Sequence, residues 1–370
     1  MLNTNMNHAT KSFATCTPVA FHANDYFFTR DTGLICRELQ KMGHKCRVIM
    51  PLPAHTDDLP TPDLLRVPAR ALYSSAWWKE QGLDGVVLYS WGDPRYTGIA
   101  RAIRRAGIKL IVHFDSSGEL HEHLSRSGSK LINKAKDILI NQLRRRHLSL
   151  AHTITTSHPC IESLLHDAYY GAAVAEKCVE FPTPVSSCFR YDGSEKQARV
   201  ICTGSWQLPV KRAGFLMSAL KKLLSSHSTV KADICGPTTP ELENWHNALP
   251  GHIRSRIILH GQCTHEKLSR LCNEASISLC TSESEGSHTA SAEALCCGCS
   301  VVCPPRPLLK VVRWYASRES GTVSTEDTPD SICQALMAEL KNWELGMRSA
   351  SRIASTWQQC FQVRNLTEFL

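Results

Sequence analysis

Two glutamates eight residues apart, Glu285 and Glu293, bracket the stretch "EGSHTASAE", with Gly286 directly after the first. The residues before them, "SISLCTS" (276–282), read as a strand, and "SHTASAEALCCG" (287–298) reads as a helix ended by Gly298. A helix that opens just past a strand leaves its first backbone N–H groups unpaired beside the positive end of its dipole. Such a terminus binds anions. Gly286 lets the backbone come close to a ligand, and the N–H groups of Ser287, His288 and Thr289 are placed to hold a diphosphate. Glu285 stands before the helix start, within reach of a neutral part of that ligand. Glu293 lies two turns further in, on the face to which an eight-residue step returns. The pair therefore brackets one elongated, partly anionic ligand. Taken singly, each also has a structural reading, Glu285 as a helix-start carboxylate and Glu293 as a solvated one.

A site of this kind needs a sheet to deliver it, and short β-rich runs alternate with helical patterns along most of the 370 residues. That alternation is the mark of βαβ units stacked on parallel sheets. In the first half the strand candidates are 17–23, 45–51, 85–91, 109–115 and 151–157, with a helix over 33–43 that Gly43 stops. Prolines, serines and charges then interrupt the pattern over 179–199. It restarts with strands at 199–205, 231–237, 255–261, 276–282 and 299–305. The expected fold class is α/β, two doubly wound Rossmann-like domains whose carboxyl strand ends face a central cleft.

Composition narrows the function classes. With 42% hydrophobic and 21% charged residues the chain is globular, and no apolar run is long enough to span a membrane. The first fifteen residues lack the apolar core of a signal peptide, which makes a cytoplasmic location the expectation. Seventeen cysteines spread through such a chain read as reduced thiols. Cys296, Cys297, Cys299 and Cys303 are dense enough to raise a metal site, but their apolar setting favours buried small side chains, and no metal is expected. The formal charge of +8 suits anionic ligands. A nucleic-acid partner is not expected, because no aromatic-basic motif accompanies that charge. The densest basic run, 129–147, reads either as a solvated helix or as a peripheral contact with an anionic membrane.

The stretch from 276 to 302 resembles the Glu-x7-Glu signature of the retaining glycosyltransferases of family four, a group with the GT-B fold. Ser282, Glu285, Gly286, Glu293, Ala294, Gly298, Val301 and Val302 fit it, whereas Ser287, His288 and Thr289 replace its usual Phe-Gly-Leu. "GSWQLPVKRAGFLMSAL" (204–220) is similar to the segment that supplies basic contacts to the donor diphosphate. Gly204 fits there, Ser205 replaces an arginine, Lys211 falls on the usual lysine, and Arg212 adds a cation. "IVHFDSS" resembles the strand end carrying a histidine near the donor sugar, here His113. The Gly-Gly loop usual after the first strand is absent, and "HANDYFFTRDTG" stands in its place. The resemblance implies an acceptor domain over 1–185, a nucleotide-sugar domain over 186–350, and a last helix within 351–370 that crosses back to the first domain. It further implies that Glu293 holds the ribose, that Glu285 meets the donor sugar, and that Lys211 steadies the leaving phosphate with no metal or other cofactor. The partners implied are a nucleotide-diphosphate sugar and a glycan, lipid-linked or small-molecule acceptor, as in polysaccharide or glycoconjugate synthesis. A nucleotide-sugar epimerase of the same architecture, and a protein that binds such a ligand without turnover, are the rival readings.

Overall fold

The structure, a computed structural model, describes residues 10–91, 95–116, 118–120, 130–166, 169–317, 319–362 and 366. Strands β1 (Ser12–Cys16), β2 (Lys45–Pro51), β3 (Leu64–Val67), β4 (Gly85–Ser90), β5 (Lys109–Phe114), β6 (Thr153–Thr156) and β7 (Cys178–Glu180) form one sheet, in the order β3-β2-β1-β4-β5-β6-β7. Strands β8 (Gln197–Thr203), β9 (Lys231–Cys235), β10 (Ile257–Gly261), β11 (Ala275–Leu279), β12 (Ser300–Cys303) and β13 (Gly321–Val323) form the other, in the order β10-β9-β8-β11-β12-β13. All these pairings are parallel. In each sheet the order reverses beside its first strand, which puts a switch point between β1 and β4 and another between β8 and β11. Ligands of doubly wound sheets bind there, beyond the carboxyl ends of the strands.

Both faces of each sheet are covered, which suits the apolar runs of strands such as β4 and β5. On the first sheet Ala14, Cys16, Val86 and Leu88 enter one core, while Phe13, Val87 and Tyr89 enter the core on the opposite face. The second sheet divides in the same way, with Ile201 on one side and Val200 and Cys202 on the other.

The first strand is not where the sequence placed it. Residues 17–23 are irregular, and β1 is Ser12–Cys16, paired with both β2 and β4. Pro18 has no N–H for the ladder of a central strand, so the apolar residues that follow it run out along the surface instead. The edge strands β3, β7 and β13 also escaped the sequence reading, being three or four residues long and only partly buried. The helix Ala350–Cys360 packs by Ile353, Trp357 and the following Phe361 into a core of the second domain, whereas Leu366 is buried in a core of the first. All seventeen cysteines are free, and Cys296, Cys297, Cys299 and Cys303 are buried among apolar residues of the second domain.

Candidate functional site

The carboxyl ends of both sheets open onto one cleft of about 490 Å³. Residues Thr203, Gly204 and Ser205 line it from the end of β8, and Gly286 to Ala290 from the chain beyond β11. The backbone is tight on this floor. Gly236 has φ +110°, and a Cβ there would lie 1.9 Å from the carbonyl oxygen of Gly204, so no side chain fits between the ends of β8 and β9.

Lys211 and Glu285 meet at the helix entrance, Nζ to Oε1 at 2.6 Å. Two hydrogen bonds to backbone carbonyls fix them there. The Glu283 N–H donates to the Val210 carbonyl at 2.7 Å, and the Thr281 hydroxyl donates to the Lys211 carbonyl at 2.9 Å. Burial presses the Glu285 carboxyl upward, but His288, Lys211 and hydrogen bonds from Lys211 and Ser282 outweigh it and hold the group below its ordinary value. Burial also holds His288 down to about 4, so that its ring is neutral near pH 7 and Lys211 is the cation that keeps Glu285 ionised. The helix itself is Thr289–Cys296, two residues later than the sequence reading, because His288 adopts the left-handed conformation at φ +43° and its Nδ1 lies 2.8 Å from the Ser291 hydroxyl. Gly286 faces the first domain across this entrance. A Cβ on it would come within 2.5 Å of Asp115 Oδ1.

Glu293 is 2% exposed, which excludes the solvated reading. It lies behind the cleft wall, 3.4 Å from the Arg30 guanidinium of the first domain, and its Oε2 is buried without a hydrogen-bond partner. Burial pushes its carboxyl up to about 7 against the pull of Arg30, with Asp31 adding to the rise. The segment in place of the Gly-Gly loop thus reaches the second domain. Arg30 donates to the Tyr26 hydroxyl at 2.5 Å, and the Tyr26 ring packs edge-on against His265 at 4.8 Å.

Two further expected site residues, like Glu293, do not reach the cleft wall. Arg212, left-handed at φ +55°, pairs with Asp327 at 2.7 Å and lies over the Phe215 ring. His113 is 1% exposed inside the first domain, with its ring nitrogens 3.1 and 3.2 Å from the hydroxyls of Thr155 and Thr183, and burial holds its pKa down to about 3. His113 lies within β5 (Lys109–Phe114), and it is Asp115, two residues on and past the strand end, that lines the cleft with Trp91, Arg30 and Asp31. The rule that ligands sit beyond carboxyl strand ends would have pointed to Asp115. No comparable signal marked Arg30.

Residues 197–342 match the family model described as "Glycosyl transferases group 1". The solved structures that the whole chain resembles include HepE (Alr3699) of Anabaena in complex with UDP, at 13% identity and TM-score 0.66, covering 97% of this chain and 98% of that one. Sucrose-phosphate synthase of Thermosynechococcus elongatus aligns at 13% identity and TM-score 0.68 over the same shares, 97% and 98%. The lipopolysaccharide outer core galactosyltransferase WaaB aligns at 14% identity and TM-score 0.64, covering 97% and 99%. No curated protein sequence matches. The two facing Rossmann-like sheets are thus the GT-B arrangement of glycosyltransferase structures.

Proposed function

We propose that the protein is a glycosyltransferase of the retaining, Glu-x7-Glu type, which moves a sugar from a nucleotide-diphosphate donor to an acceptor hydroxyl. The observation that carries this reading is the Lys211–Glu285 pair, held at a helix entrance inside the cleft between the two sheets. As the sugar–phosphate bond breaks, negative charge grows on the β-phosphate. Lys211, which keeps ammonium protons beyond the one Glu285 accepts, and the N–H groups at the helix entrance would stabilise that charge. Glu285 then faces the transferred sugar, and Glu293, once Arg30 yields, accepts the ribose hydroxyls. His113 supports Tyr89 from beneath, ring to ring at 4.9 Å, rather than touching the donor. No residue is placed as a covalent nucleophile in this scheme, in keeping with transfer on one face of the sugar.

The test is a thermal-shift panel of UDP, GDP, ADP and their sugars, run in EDTA. One nucleotide family is expected to raise the melting temperature, since ligand at a hundred times its dissociation constant adds about 2.7 kcal/mol. Stabilisation and nucleotide release should both survive the chelator, because the cations in this scheme are protein groups. Shifts that need added manganese would remove the metal-free part of the reading, and a flat panel would remove the whole of it.

The helix Lys130–Leu150 supports a peripheral position at the cytoplasmic face of a membrane. Its exposed face shows Ile132, Ile138 and Leu139 at 58%, 52% and 55% exposure, beside the exposed Lys134, Lys136, Arg145 and Arg146. The side chain of Lys130 lies outside the described residues. Arg144, counted in the sequence with this basic face, is instead buried, donating to the Glu119 carbonyl at 2.7 Å with its guanidinium over the Phe114 ring. Among the described residues no helix is long and apolar enough to cross a membrane. Each exposed cation near an anionic leaflet contributes about 1 kcal/mol. Co-sedimentation with anionic vesicles is therefore expected at low salt and should weaken when Arg145 and Arg146 become glutamine. Equal recovery in the supernatant with anionic and neutral vesicles would leave the helix as a fold element alone.

A further inference from the structure

Asp115 ends β5 on the cleft wall across from Gly286, the residue next to Glu285. Its orientation is fixed from one side. Trp91 Nε1 donates to Oδ2 at 2.9 Å, and the Tyr89 hydroxyl approaches the same oxygen at 3.1 Å. That hydroxyl also lies 3.2 Å from Asp31 Oδ1. A phenol carries one proton, so Tyr89 can serve only one carboxyl at a time. The other oxygen of Asp115, Oδ1, is shielded from solvent and makes no well-formed hydrogen bond among the described residues, although the Ser287 hydroxyl approaches the carboxylate.

The acids here also outnumber the cations. Lys211 is engaged by Glu285 and Arg30 by Glu293, which leaves Asp31 and Asp115 with no ion-pair partner among the described residues. A wall rich in acceptors and short of donors suits a ligand that brings hydroxyl hydrogens and no further negative charge. A buried acceptor left without a donor is costly, so such a ligand gains from supplying one.

We propose that Asp115 reads the transferred sugar, its Oδ1 accepting a hydrogen bond from a sugar hydroxyl opposite Glu285, and that this acidic wall selects a neutral hexose over a hexuronic acid in the donor. The inference rests on the nucleotide-sugar reading above. A hexuronate would bring a carboxylate against Asp115 and Asp31 while Lys211 is occupied by the diphosphate. Asp115→Asn reverses the polarity of the free atom. Its amide oxygen would stay with the Trp91 N–H, and its NH2 group would face the sugar.

The experiment is calorimetry with UDP, UDP-glucose and UDP-glucuronic acid, or with the matching GDP or ADP compounds if those bind. For the wild-type chain the glucose conjugate is expected to bind at least about tenfold more tightly than the glucuronate. In Asp115→Asn that ratio should fall to about threefold or less, with affinity for the free nucleotide unchanged. Equal affinities in the wild-type chain, or an unchanged ratio in the variant, overturns the inference while leaving the nucleotide site standing. Binding of none of these nucleotides removes the underlying reading and this inference with it. If Asp115→Asn does not fold, Asp115→Ser decides, since it likewise removes the charge that a hexuronate would meet. A reduced ratio supports the assignment, and an unchanged one overturns it.

Discussion

Lys211→Ala is expected to lower the rate of sugar transfer by about 10²–10³, the size of effect seen when one preorganised group that stabilises developing negative charge is removed. The Nζ lies 2.6 Å from Glu285 in a site where both side chains are mostly shielded, at 18% and 14% exposure. Its charge therefore acts at low effective dielectric, and water cannot replace it at equal strength. Arg212, next in the chain, cannot compensate because it is committed to Asp327. Lys211→Arg should recover only part of the rate, since a planar guanidinium does not reproduce a compact ammonium at the same distance. The check is a single-turnover measurement of nucleotide release with saturating donor. A rate within threefold of the wild-type chain would take Lys211 out of the mechanism.

The second large effect concerns Glu293 and depends on pH. Burial places its carboxyl at about 7, whereas its ordinary value is 4.5. In the ligand-free protein a raised carboxyl favours folding below its ordinary pKa, and that contribution is lost as pH rises through about 7. If Glu293 takes the proposed ribose contact, donor binding has the opposite slope, because accepting two hydroxyl bonds requires the ionised form. Affinity for the donor should therefore climb between pH 6 and pH 8 and then level off. A nucleotide sugar is the right probe, since its diphosphate, unlike that of free UDP, does not titrate in this range. Glu293→Gln is expected to weaken donor binding by about 1–3 kcal/mol and to flatten the profile. Calorimetry across that range decides the matter: a variant that keeps both the affinity and the slope would show that the ribose is held elsewhere.

Much of the fold was legible because buried parallel strands are nearly all apolar. Strands β2, β4, β5 and β6, and β8 to β12, fall where apolar or β-branched runs such as "GVVLY" and "LIVHF" marked them. Strand β1 was missed for a related reason. Its "SFATC" is short and half polar in type, yet both of its flanks are covered, and only the sheet reveals that. At the site, the local features transferred best. Glu285, Gly286 and Lys211 lie on two segments that adjacent strands, β8 and β11, must bring together. Arg212 was misread because a left-handed residue turns its neighbour's direction away, which residue type cannot show. Arg30, Asp31 and Asp115 were missed because their part in the cleft depends on how closely the two domains approach, as Gly286 approaches Asp115.

Sugar transfer from a nucleotide sugar in this cleft is decided by product analysis. The donor selected by the thermal panel would be incubated with alkyl glycosides and envelope lipid extract, and the products followed by proton NMR at the anomeric position. The result expected is nucleotide release with the sugar joined to an acceptor in the donor's own anomeric configuration, abolished by Lys211→Ala. Donor recovered intact or as its epimer, or a product of inverted configuration, would contradict it.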